Sequence, residues 1–225
     1  MNQIEALQRL RTLGTRGFET RDAAALLQVT SANAHMILRR LADGGLLTHV
    51  SRGRWLLSAA TGGFVLAELI AAPYPAYVSL QSALFHHGLI EQIPAVIYVV
   101  TLGRPRRVKA ALATVSFHRM PPELFTGFDV AADGAKIATP EKALFDTLYL
   151  APGRSRLFAK LPELEIPRQF RWQVLQRYTE LVKSPRRRSF LAVSIVRLAP
   201  KSTGRPRRRS AVAQRPVRRV SAPHQ

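Results

Sequence analysis

From Glu19 to Leu57 the chain changes its hydrophobic period from that of helices to that of strands within one short stretch, and few folds accept that pattern. Thr20 stands where an N-cap belongs, Asp22 follows in the first turn, and Ala23, Ala24, Leu26 and Leu27 supply an apolar face. This predicts a short helix ending near Gln28. Thr30 and Ser31 offer a second hydroxyl cap, after which Ala34, Ile37, Leu38 and Leu41 recur at steps of three and four, until Gly44 and Gly45 end the run. Leu46 to Val50 and Trp55 to Leu57 then read as two strands around the turn Ser51, Arg52, Gly53, Arg54. Upstream, Ile4, Leu7, Leu10 and Leu13 predict a supporting helix, stopped by Gly14 and Gly17. Three helices and a basic-tipped hairpin in this order describe a winged helix-turn-helix.

The second helix of that unit turns Ser31, Ala32, Asn33, His35, Met36, Arg39 and Arg40 away from its apolar stripe, and no carboxylate occurs between Thr30 and Ala42. A recognition helix sets its N-terminal side chains on base edges in the major groove, while basic groups further along reach phosphate. Asn33 and His35 are therefore the expected base readers, with Ser31, Arg39 and Arg40 beside them. Arg52 and Arg54 at the wing tip are expected on the backbone or in the minor groove.

Charge supports a polyanionic partner: the net formal charge is +20 and the isoelectric point is near 11.6. The distribution matters more than the sum. All 14 acidic residues lie at or before Glu180, whereas 13 of the 34 Lys and Arg lie from Lys183 onward, so residues 1–182 are only mildly basic. From Pro200 the chain is mostly Lys, Arg, Pro, Ser, Ala and Val without Phe, Tyr or Trp, a composition expected to stay disordered. The absence of cysteine excludes disulfides, thiol catalysis and cysteine-bound metals. Neither a signal-peptide core nor an apolar run near the ~20 residues of a membrane span occurs. The expected location is cytoplasmic, with no membrane partner.

A run of small residues, Ser58 to Gly63, marks a joint near residue 60. The expected organisation is a DNA-binding domain over residues 1–60, an α/β domain over 61–198 and a tail over 199–225, giving a mixed α+β class. Within the second unit, Phe64 to Ala71 predicts a short helix, and Ser79 caps another that Gly88 ends. The β-branched run Ala95 to Leu102 should be a central strand, with Ala113 to Met120 its partner. Phe128 to Ala131 and Lys136 to Ala138 form a hairpin around Asp133 and Gly134. Thr139 caps a helix with Pro140 at its first position. Helices are further expected at Ser155 to Leu161 and Arg168 to Lys183, and the apolar segment Phe190 to Leu198 fits helix or strand, with helix preferred.

Candidate chemistry outside the first unit is sparse. His86 and His87 are adjacent, so on a helix they point about 100° apart and do not chelate one ion. Glu141 and Asp146, five residues apart with Lys142 between them, share no helix face well, and the helix dipole accounts for Glu141. Phosphate-gripping, nucleophile-elbow and metalloprotease motifs are missing. No catalytic residue, metal ligand or cofactor is assigned, and the chain is expected not to be an enzyme. Arg104, Arg106, Arg107 and Lys109 form a basic turn offering accessory nucleic-acid contacts. Two other readings stand beside a DNA-binding regulator: a metabolite sensor with its pocket in the sheet domain, and an enzyme acting on nucleic acid through an unrecognised site.

Taken in order, the winged unit, YVSLQSALFHHGLIEQIP, IYVVTLGRPRRV and IATPEKALFDTLYL resemble the AbiEi family of antitoxins and the related regulators of viral-defence systems. The resemblance spans residues 5–183. It implies a winged helix-turn-helix that binds inverted repeats in its own promoter, joined to an α/β domain that counters a nucleotidyltransferase-like toxin without forming a stable complex with it. It carries a DNA-contact role to Ser31, Asn33, His35, Arg39, Arg52 and Arg54, and assigns no activity to individual residues of the later motifs.

Overall fold

Asn2 accepts a hydrogen bond from the Glu5 amide at 2.7 Å and so opens the first helix, α1 (Gln3–Arg11). A computed structural model of the chain describes residues 2–15, 17–57, 63–110, 112–152 and 161–199. In α1 the buried pair is Ala6 and Leu10, one turn apart, while Ile4 is 68% exposed, contrary to the three-residue spacing read from sequence. The small Ala6 side chain lets the helix approach a core of Leu27, Leu38, Leu41 and Trp55 closely.

Strand β1 (Gly17–Glu19) leads into α2 (Thr20–Leu27), and α3 (Ser31–Asp43) follows with Thr30 as its cap, accepting from the Asn33 amide at 3.3 Å. Glu19, not Thr20, caps α2: its own amide donates to the Asp22 carboxylate at 2.9 Å. Thr20 is thereby released for another task. Its hydroxyl accepts from the Trp55 indole N–H at 2.9 Å and donates to the Gly53 carbonyl at 3.4 Å, tying α2 to the wing. The wing strands are β2 (Leu47–Ser51) and β3 (Arg54–Leu57), with Gly53 at a φ of +71° in their turn. Strand β1, unforeseen because three residues carry no readable period, adds antiparallel to β3, so the first sheet runs β1-β3-β2.

The second sheet contains β4 (Ala76–Val78), β5 (Ile97–Thr101), β6 (Arg106–Lys109), β7 (Thr114–Arg119), β8 (Phe128–Val130) and β9 (Lys136–Ala138), in the order β6-β7-β5-β4-β9-β8. β5 lies in the interior of this sheet as its β-branched run predicts, parallel to β7, and β8 and β9 form the expected hairpin. The supposed basic turn is instead largely an edge strand, since Arg106 to Lys109 pair antiparallel with β7. Alternation divides the sheet into two faces. Val78, Val99, Val115 and Phe117 pack on α4 (Leu66–Ala71), whereas Tyr77 and Val100 face α5 (Leu80–His86) and α6 (Pro140–Leu150).

Val50 and Leu56 of the wing share one apolar cluster with Leu66, Ala67, Ile70 and Ala71 of α4. A methyl group at Gly17 would meet the end of the Leu69 side chain of α4 at 2.7 Å, so that side chain packs directly on the bare backbone of β1. The joint therefore connects two units that bury apolar surface together. α7 (Trp172–Glu180) and α8 (Pro185–Leu198) cover α6 from its other side through Phe170, Leu175, Leu191 and Ile195. α7 is shorter than its amphipathic pattern suggests, and Leu181 is exposed beyond its end. The expected helix at Ser155 to Leu161 falls almost wholly outside the described residues, as does the tail from Pro200.

Candidate nucleic-acid interface

Full burial of Ala34, Leu38 and Leu41 sets the rotation of α3 about its axis. That rotation leaves Ser31, Asn33, His35, Arg39 and Arg40 exposed. Neither Arg39, Arg40 nor Arg52 makes an ion pair among the described residues, and the first carboxylate along this helix is Asp43 in its final position. The Asn33 amide N–H is used by the cap, while its side chain makes no hydrogen bond with a described residue. The wing stands beside the helix because Trp55 is clamped between them. Its ring meets His35 edge-on at 5.7 Å and His49 at 4.6 Å. A cleft of about 390 Å³, lined by His35, Arg39, Ala42, Asp43, His49 and Trp55, separates helix from wing. His35 is therefore oriented by the indole and is not a freely sweeping ring.

Arg54 does not sit at the exposed tip where the sequence put it. It is half-buried, 3.6 Å from Glu19, and donates at 3.2 Å to the Ala72 carbonyl just beyond α4. Arg52 alone remains exposed at the turn. Arg106 is likewise engaged, lying over the Phe117 ring and donating to the Ile70 carbonyl at 2.7 Å. Arg104, Arg107 and Lys109 are exposed. Sequence reasoning missed both tethers because the carbonyls they reach belong to a helix end distant along the chain.

Family models return no match to the chain, and neither do curated protein sequences.

A second constellation lies in the sheet domain. Every residue of α6 from Glu141 to Tyr149 is buried, its charged residues included. Lys142 and Asp146, one turn apart, expose no surface and form an ion pair; the carboxylate also accepts from Ser79 Oγ at 2.7 Å and the Tyr77 hydroxyl at 3.0 Å. The Lys142 ammonium lies over the rings of Phe145, Tyr178 and Tyr77 at 4.9, 5.4 and 5.7 Å. Burial pushes the Asp146 carboxyl up against the pull of Lys142, and burial, followed by the adjacent carboxylate, pushes the Tyr77 hydroxyl up. Leu80, immediately after Ser79, holds a φ of +55°, a left-handed conformation that a branched side chain rarely adopts.

Glu141 faces a different partner, accepting from the Arg171 amide at 3.1 Å and its Nε at 3.0 Å. Burial raises its carboxyl, but the Arg171 hydrogen bonds outweigh that and hold it below the usual range. The two carboxylates do not converge, and Ser79, Lys142 and Asp146 are sealed from solvent. The legible signal for this network was the i, i+4 pairing of Lys142 with Asp146, a spacing at which opposite charges meet. His86 and His87 do not point apart as a helical pair would, because His87 lies just past the end of α5: their rings meet edge-on at 5.0 Å, with His87 Nε2 2.7 Å from the Ala138 carbonyl and His86 exposed against Phe64. Among the described residues no three His, Asp or Glu gather as a metal site, and no helix is long and apolar enough to cross a membrane.

Proposed function

We propose that this chain is a cytoplasmic, sequence-specific DNA-binding regulator of the AbiEi type, which represses its own operon at an inverted repeat and counters a nucleotidyltransferase-like toxin. The observation that carries the DNA-binding reading is the outer surface of α3 and the wing tip. Asn33, His35, Arg39, Arg40 and Arg52 are exposed there without an ion pair among the described residues, opposite a stripe in which Ala34, Leu38 and Leu41 are fully buried. An ordinary solvated face mixes both signs, whereas this one stays free of carboxylates until Asp43. Asn33 fits bidentate reading of adenine and the arginines fit guanine or phosphate. The antitoxin role rests on the order of motifs that resemble the family. An enzymatic reading loses support because the most elaborate polar network, around Asp146, has no surface that a substrate could touch.

Fluorescence anisotropy with DNA from upstream of the gene, at ~150 mM salt where non-specific contacts weaken, tests the repressor role. Binding should exceed that to random duplex; equal affinity for both refutes sequence-specific repression. Asn33→Ala should relax discrimination by about 1–3 kcal/mol at one base pair, and Arg52→Gln should weaken all duplexes alike. Co-expression with a neighbouring nucleotidyltransferase-like protein should restore growth if the antitoxin assignment holds.

A further inference from the structure

Two arginines from opposite sides converge on the C-terminal end of α4. Arg54, from the base of the wing, donates to the Ala72 carbonyl, and Arg106, from the edge strand β6, donates to the Ile70 carbonyl. The wing and one end of the six-stranded sheet are thus held against the same helix terminus.

The chain that leaves α4 continues the connection. Tyr74, 49% exposed, lies against Gly103 so closely that a methyl group there would meet its ring at 2.8 Å. The Gly103 amide donates to Thr101 Oγ1 at 3.1 Å, and that hydroxyl donates to the Pro75 carbonyl at 2.9 Å, which fixes the loop that bears Arg104. Thr101 pairs across the sheet with Arg119. Arg104 and Arg119 therefore belong to the wing-proximal end of the sheet, both exposed and neither in an ion pair among the described residues. Arg107 is turned to the other sheet face and Lys109 occupies the far end of β6, so both leave this group.

We infer that Arg104 and Arg119 form a second, sequence-independent binding surface for the phosphate backbone of duplex DNA flanking the segment read by α3 and the wing. Charge complementarity and continuity with the wing identify the partner as the phosphate backbone of a duplex. The inference rests on the DNA-binding reading above and adds that the sheet domain itself grips the duplex.

The test uses the full chain and its Arg104→Gln/Arg119→Gln double variant. The probes are a duplex enriched by the protein from a randomised pool, with ten-base-pair flanks, and the same duplex trimmed of its flanks. On the flanked probe the double variant should bind more weakly, and its log affinity against log salt should be shallower by about 1.8, since each phosphate contact contributes about 0.9. Between 50 and 200 mM salt it should therefore lose about twelve-fold less affinity than the wild type. On the trimmed probe the two proteins should match. An unchanged slope on the flanked probe, or equal losses on both probes, overturns the inference. So does an equal change of slope in Arg168→Gln/Arg177→Gln, which removes the same charge elsewhere. A wild type that enriches no sequence refutes base reading alone, because the slopes can still be compared on a random 30-base-pair duplex.

Discussion

Lys142→Met keeps the aliphatic stem of the side chain and deletes the charge. The missing ammonium leaves the Asp146 carboxylate buried, with only the hydroxyls of Ser79 and Tyr77 as donors. Removing one partner of a buried pair costs about 3–5 kcal/mol. Because two donors remain, the expected loss lies near the lower limit, about 3 kcal/mol, and the melting temperature should fall by roughly 6–12 °C for a chain of this size. Urea unfolding of Lys142→Met, Asp146→Leu and the double variant measures the coupling. The double variant should recover a large part of the summed losses, since no charge is then left buried. The pH dependence supplies an independent sign. Without Lys142 the Asp146 carboxyl, already raised by burial, rises further in the folded state. A raised folded pKa stabilises at low pH and loses that stabilisation as pH rises, so the deficit relative to wild type should be greatest at neutral pH and shrink on acidification. A deficit under about 1 kcal/mol, or one that deepens in acid, would refute a structural ion pair.

Burial depresses His118 to about 4, so its folded-state pKa lies below the unfolded value. The unfolded chain then binds more protons between roughly pH 6.5 and 4, and stability should decline by about 3 kcal/mol as pH falls through that window; His118→Gln should remove this slope in urea titrations at pH 7, 5.5 and 4. Thr20→Val deprives the buried Trp55 indole of its acceptor and should destabilise the winged unit by about 1–3 kcal/mol, measured by chemical unfolding, with the loss absent from a Trp55→Phe background.

Short-range chemistry was legible along the chain. Thr30 and Thr139 cap the helices they precede, Pro140 occupies the first turn, and the β-branched run at Ala95 to Leu102 marks an interior strand. These signals lie within a few residues of what they specify. The misreadings share the opposite property. Thr20 looks like a cap until Trp55, distant in sequence, claims its hydroxyl. Arg54 and Arg106 look like free cations until the carbonyls of Ala72 and Ile70 are brought to them. Glu141 looks explained by the helix dipole alone, and Asp146 looks unconnected to it, until Arg171, Ser79 and Tyr77 reach them from elements on other sides of α6. At the candidate interface the exposed set on α3 was legible because it is the complement of a local apolar stripe. Arg119 was not, because only strand register brings it beside Arg104.

The complete burial of α6 also bears on how the chain acquires its fold. Sheet and α5 supply one wall around this helix, but Phe170, Leu175, Leu191 and Ile195 supply the other, and they follow it in the chain. During synthesis the winged unit can close on its own core while α6, with Lys142 and Asp146 inside it, is still half-wrapped. The sheet domain is finished only when α8 arrives. Cutting the chain before Phe170 would therefore open the middle of the protein to water, not trim its edge.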